Sequence, residues 1–197
     1  MEMAMCRLFF LISCLLAALT ALGACGPRPL PAASAGLPFQ PGRYVKESYF
    51  APDFKPVEAT YAVNAFPVTA ARNAASEAFS KLFQEELVRA WQAQGLKVGS
   101  GKKTCRLSGT IYHLSVKGAR FRFLTGRLRA TLTISGAITR GDQVLFVFRD
   151  RVTMSSPVAP GLGVPKEKEL LLSQLARETV FHLLNELLLH GPSIESG

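Results

Sequence analysis

Lys117, Arg120, Arg122, Arg127 and Arg129 crowd one short stretch of the chain, interleaved with Phe121, Phe123 and Leu124. A guanidinium offers two parallel N–H donors that match the oxygens of a phosphate or carboxylate, so such a run suits oxyanions. The apolar side chains between the cations suit acyl chains or the wall of a partner protein. We therefore take Lys117, Arg120, Arg122, Arg127 and Arg129 as candidate anion ligands, and Phe121 and Phe123 as candidate partner contacts. The bland alternative is a cationic loop whose phenylalanines fold back into the core.

No other set of residues forms a reactive constellation. His113, His182 and His190 are the only histidines, and none stands in a metal-ligand spacing. His182 lies in an apolar segment and reads as a structural histidine; His190, near a helix end, suits the dipole there. No Gly-x-Ser-x-Gly elbow and no phosphate-binding glycine loop occurs. Glu85 and Glu86 fall on an amphipathic segment and read as solvated. The expectation is a protein without enzymatic activity, with no metal and no cofactor.

The charge is segregated. The net charge is +9, and between Leu87 and Gly141 there is no Asp or Glu at all. The remainder of the chain is slightly acidic. Such a distribution creates a positive field that concentrates anions. Which anions depends on the compartment, and the N-terminus speaks to that.

Arg7 is followed by an apolar run, Leu8 to Ala21, and then by Leu22-Gly23-Ala24-Cys25-Gly26. A short basic region, an apolar run and small residues before a cleavage point are the parts of a secretory signal. The run falls short of the roughly twenty residues that a spanning helix needs. Leu-Gly-Ala-Cys resembles the lipobox of bacterial lipoproteins. That resemblance implies cleavage before Cys25, diacylation of its sulfur and acylation of the new N-terminus (palmitate included). Gly26 is compatible with sorting to the outer membrane. The expected setting is the cell outer membrane, with the protein held by its lipid anchor. The polyanions at hand there are phospholipid head groups and phosphorylated sugars of lipopolysaccharide, so nucleic acid is not an expected partner. Cys105 is left without a partner in the processed chain and reads as a buried thiol.

The elements that must position the cations follow from hydrophobic period. Residues 25–57 are rich in Pro, Gly and Ala and read as the lipidated cysteine and a flexible tether, whose aromatic second half (Tyr44, Tyr49, Phe50, Phe54) can pack on the domain. Tyr61, Val63 and Ala65 suggest a first strand, stopped by Pro67. Phe79, Leu82, Phe83, Leu87, Ala90 and Trp91 recur at spacings of three and four and predict a helix over 72–94, ended by Gly95. A short strand at 96–98 precedes a longer one over 105–116. There the apolar phase shifts between Ile111 and Leu114, as a bulge would produce. Leu128, Ala130, Leu132, Ile134, Gly136 and Ile138 alternate with Arg127, Arg129, Thr131, Thr133 and Ser135, which predicts a strand with one buried and one wet face. Arg140-Gly141-Asp142-Gln143 is a hairpin turn, and the returning strand carries Arg149 and Arg151. A Pro/Gly loop leads to a second helix over 166–190. Its apolar end is either wedged in the core or offered to a partner, with Leu187 and Leu188 as the candidate contacts.

The order strand, helix, strand meander, helix predicts an α+β fold: a two-layer sandwich with a small, mostly antiparallel sheet and two helices on one face. The expected organisation is a signal peptide over 1–24, the tether over 25–57, one domain over 58–191 and a disordered tail over 192–197. The outer face of the sheet should be open, polar and basic.

This layout, with the Tyr61-to-Pro67 segment and the strand Leu107-Ser108-Gly109-Thr110-Ile111, resembles the lipopolysaccharide-assembly lipoprotein LptE family. The resemblance implies a plug-like subunit inside an outer-membrane β-barrel translocon (LptD-like) that assists barrel assembly and binds lipopolysaccharide or another anionic lipid. The domain would be periplasm-facing or inside the barrel. The alternative is an adaptor or structural lipoprotein of another envelope transport or secretion complex, bound through the apolar C-terminal helix.

Overall fold

The structure is a computed structural model, and it describes residues 36–69, 74–101, 103–118, 127–156 and 163–189. The described residues form an α+β fold: a single mixed, open sheet of seven strands with two helices. The strands are β1 (Gln40–Pro41), β2 (Glu47–Phe50), β3 (Thr60–Val63), β4 (Lys97–Val98), β5 (Cys105–Lys117), β6 (Arg129–Arg140) and β7 (Gln143–Ser155). The helices are α1 (Ala74–Ala93) and α2 (Val164–Leu189), with a 3-10 turn at Pro56–Glu58. The sheet order is β1-β2-β7-β6-β5-β3-β4, antiparallel except where β3 pairs with β4 and β5. No helix among the described residues is long and apolar enough to cross a membrane.

The centre of the sheet is the β5–β6–β7 meander. Alternation decides its two faces: Leu107, Ile111, Ala130, Leu132, Ile134, Ile138, Phe146, Phe148 and Val152 are all buried on the helix side. The expected phase shift in β5 is present as a register break between Ile111 and His113. Gly141 takes φ +60° at the first central position of the β6–β7 turn, which suits a type II′ hairpin.

Helix α1 presents Phe79, Phe83, Leu87 and Trp91 to the core as one stripe. Trp91 meets Tyr61 edge-on at 5.6 Å, and Phe83 meets Phe66 at 5.3 Å. Gly95, at φ +73°, ends the helix and returns its N–H to the Gln92 carbonyl. Two glycines face each other in register in β5 and β6, Gly109 and Gly136. A Cβ on Gly109 would fall 2.1 Å from Phe66 Cε1, and one on Gly136 would fall 2.6 Å from Phe148 Cε1. The glycine pair is the floor on which those two rings lie.

Two expectations need correcting. The tether was expected to run to residue 57, but β1 and β2 belong to the sheet, with β2 paired to β7 from Glu47↔Arg149 to Phe50↔Phe146. Val45, Ala51 and Phe54 of the same segment are buried in the core. The cause sits at the other end of the chain. Glu186, fully buried on α2, accepts the backbone N–H of Arg43 at 3.0 Å and of Tyr44 at 2.8 Å, and the Ser48 hydroxyl at 2.6 Å. Glu86, expected to be solvated, is buried and pairs with Arg89 at 2.8 Å and with Arg177 of α2 at 3.5 Å. It thereby ties the two helices together, while Glu85 meets Lys81 at 4.0 Å on the surface.

The apolar C-terminal end of α2 is wedged in the core on its inner side, while Phe181 and Leu189 stay exposed. Leu183, Leu184 and Leu187 are core residues, because the helix lies against β6 and β7 on one side and α1 on another.

Candidate functional site

The site is built on the outer face of the upper meander, where strand pairing sets three rows of side chains. Lys117 pairs with Arg129, which pairs with Ser155. The next row is Ser115, Thr131 and Thr153, and the third is His113, Thr133 and Arg151. Neighbouring strands lie about 4.8 Å apart and alternate residues about 7 Å apart, so the rows form a regular grid. It contains three permanent cations, one imidazole and five hydroxyls, with neither an apolar side chain nor a carboxylate. The hydroxyls are partly engaged with one another: Thr131 Oγ1 lies 3.2 Å from Thr153 Oγ1, and His113 Nε2 lies 2.9 Å from Ser115 Oγ.

The root of this face is fixed from the inner side. The Leu128 N–H donates to Ser156 Oγ at 3.0 Å, and the Ser156 N–H donates to the Leu128 carbonyl at 2.8 Å. The Ser156 hydroxyl in turn donates to Glu167 at the start of α2. These buried bonds hold the segment that carries Arg127 and Arg129, both exposed, at the head of β6.

Below the grid the face closes. Ser135, expected to be open, is buried and donates to the Tyr112 hydroxyl at 3.1 Å, because the bulged residue Tyr112 places its ring beside it. Arg149, two residues from Arg151 on β7, is bound to Glu47 at 3.2 Å. Glu47 is the only carboxylate that alternation puts on this face among the described strand residues.

The anionic groups of the upper domain point inward instead. Asp150 sits between Arg149 and Arg151 in sequence but on the buried side, where Oδ2 lies 2.9 Å from His182 Nδ1 and Oδ1 accepts the Arg151 N–H at 2.7 Å. The hydrogen bond to Asp150 raises the His182 pKa above its ordinary value, against the opposing effect of burial, and Glu178 adds to the rise. His182 is thus held as a structural histidine.

Of the residues singled out from the sequence, the structure brings Lys117, Arg127 and Arg129 to one end of one face. Arg120, Arg122, Phe121, Phe123 and Cys25 lie outside the described residues. Leu187 is fully buried and Leu188 half-buried against the core, so Leu187 offers no surface to a partner; the apolar side chains that α2 exposes are Leu170, Phe181 and Leu189. Sequence reasoning missed Arg151 as a site residue, although the parity of Arg149, Arg151 and Thr153 in β7 carries the information. Cys105 is buried, with Arg140 Nη2 3.4 Å from its sulfur. Among the described residues, no cluster of His, Cys, Asp or Glu is placed to hold a metal ion.

No family model matches the chain. No curated protein matches it either. Solved structures match it in part. A minor lipoprotein from Acinetobacter baumannii is 9% identical, with a TM-score of 0.49, and the match covers 69% of this chain and 95% of that one. A protein of the DUF330 family from Xanthomonas campestris is 12% identical, with a TM-score of 0.49, covering 72% and 91%. The rare lipoprotein B of Shewanella oneidensis is 11% identical, with a TM-score of 0.40, covering 64% and 91%. Bacterial lipoproteins thus stand among the structures to which this chain is similar.

Proposed function

We propose that the protein is a non-enzymatic lipoprotein of the bacterial outer membrane, anchored through Cys25, whose basic sheet face binds the phosphorylated sugars of lipopolysaccharide in an assembly with an outer-membrane β-barrel. The observation that carries this reading is the grid of Lys117, Arg129 and Arg151 among five hydroxyls, with no carboxylate within it. Guanidinium and hydroxyl donors on an open sheet face satisfy phosphate oxygens and sugar hydroxyls together, and such a face accommodates a wide head group without a deep pocket. The lipobox-like Leu22-Gly23-Ala24-Cys25 supplies the compartment, and the resemblance to the LptE family supplies the barrel partner.

The test is a titration of the full lipidated protein, in mild detergent, with lipopolysaccharide and with its dephosphorylated form. The wild type should prefer the phosphorylated form. The double reversal Arg127→Glu and Arg129→Glu should weaken binding by about a hundredfold or more, since each charge-assisted contact contributes about 1.5–3 kcal/mol. Equal affinity of wild type and variant at physiological salt would discard the face as the site. Co-purification of a stoichiometric large β-barrel tests the partner.

The exposure of Phe181 and Leu189 on α2 favours a second reading, in which a protein partner docks on that helix. Phe181→Asp would then release the partner and leave lipopolysaccharide binding unchanged.

A further inference from the structure

The lower end of the basic face is already occupied, by the chain itself. Arg149 continues the cation line of β7 about 7 Å from Arg151 on the same face. Its guanidinium is held between two residues of the N-terminal arm. Glu47 Oε2 lies 3.2 Å from Nη1, and the Phe39 ring centre lies 4.4 Å from the guanidinium carbon. Glu47 thus sits on Arg149 as an oxyanion ligand would. The arm that supplies it, β1 and β2, is anchored independently of this contact by Glu186 on the opposite side of the sheet.

We propose that Glu47 is an internal competitor for Arg149, and that a phosphorylated glycolipid extends its footprint down the sheet by displacing the Glu47 carboxylate while the arm stays in place. The inference rests on the reading that the grid above binds such a ligand.

Three observations support displacement of the side chain alone. The ion pair is half-open, with side-chain exposures of 45% for Arg149 and 34% for Glu47, and such exposed pairs are weakly held. A phosphate monoester carries close to two negative charges at neutral pH against one on the carboxylate, so it wins the guanidinium when both are present. Phe39 stacks on the guanidinium and keeps it on the outer face after Glu47 leaves. The arm itself is retained by the Glu186 bonds and by β2–β7 pairing, neither of which uses Glu47's carboxylate.

The experiment compares the full protein, Glu47→Gln, Arg149→Gln, Glu47→Gln with Arg149→Gln, and Arg129→Glu with Arg151→Glu, each titrated with lipopolysaccharide in mild detergent. Glu47→Gln should bind about two- to fivefold tighter, the range set by the weakness of exposed ion pairs. In the Arg149→Gln background, Glu47→Gln should bring no gain over Arg149→Gln alone. If Glu47→Gln binds as the wild type does while Arg129→Glu with Arg151→Glu weakens binding, the grid is the site and the competition is refuted. If Glu47→Gln brings the same gain over Arg149→Gln alone as it brings over the wild type, the competition is refuted as well, since the effect is then one of overall charge. If Arg129→Glu with Arg151→Glu changes nothing, the reading of the face itself is overturned, and the competition with it.

Discussion

Asp150 Oδ2 lies 2.9 Å from His182 Nδ1, joining the inner side of β7 to the middle of α2. The two cations that flank Asp150 in sequence face the other way. One strand therefore separates an acidic, structural side from a basic, open one by alternation alone.

That contact makes stability depend on pH in a definite direction. The folded state holds the His182 proton more tightly than the unfolded chain, because Asp150 and Glu178 both favour the imidazolium. The stabilisation is complete below the ordinary histidine value of 6.5 and is lost as pH rises through the raised folded value. His182→Gln should therefore destabilise the protein more at pH 5.5 than at pH 8.5, as read by denaturant unfolding of both proteins. A difference that is flat across that range would show that His182 does not titrate as described.

The glycine floor under the aromatic core gives a second prediction. Gly109→Ala drives a methyl into Phe66 and should cost about 1–3 kcal/mol, the usual range for overpacking. Combining it with Phe66→Leu should recover part of that loss. A coupling energy near zero in the double-mutant cycle, from urea melts, would show that the ring does not set the cost, which then falls on the Ser135 carbonyl 2.4 Å from the added methyl.

Arg151 should matter as much as Arg129 to anion binding. Arg151→Glu is expected to weaken lipopolysaccharide binding by about tenfold, the size of one charge-assisted contact turned repulsive. Lys97→Glu, on edge strand β4 at the far side of the sheet, makes the same charge change and should leave affinity within about twofold at physiological salt, where screening is strong. Equal losses from both would mean that net charge, and not the grid, governs binding.

Glu186 accepts three hydrogen bonds from the N-terminal arm, and removing it strands their donors. Glu186→Ala should lower stability by about 2–4 kcal/mol, since unsatisfied donors and a lost buried carboxylate both count. Hydrogen exchange should rise first at residues 43–48. Unchanged protection there would mean that β2–β7 pairing alone holds the arm.

The meander was readable because Leu128 to Ile138 alternates without interruption, and the shift at Tyr112 is itself a bulge; a second shift, where Ile138 pairs with Phe146 but Thr139 with Val144, lies close to the β6–β7 turn. Helix α1 was readable from its aromatic stripe. The arm was hidden because Pro38, Pro41 and Gly42 give residues 38–50 the composition of a linker, and what orders them is a carboxylate far away in sequence. Glu86 and Glu186 were unreadable for a related reason, since a glutamate in a helix looks solvated until its partners on other elements are known. Of the basic site, the segment 117–129 stood out as a local cluster. Arg151 joined it only through strand register, which composition does not reveal.

The bond from Arg43 to Glu186 spans 143 positions of sequence. A chain that emerges from its N-terminus can make the β5–β6–β7 hairpins early, but the inner face of β6 and β7 lacks its cover until α2 arrives. Only then does the arm acquire its acceptor. Closure of the domain is therefore a late event, reserved for a chain whose last helix is already out, and a shortened or stalled product would leave a greasy sheet and a loose N-terminal arm for quality control to find.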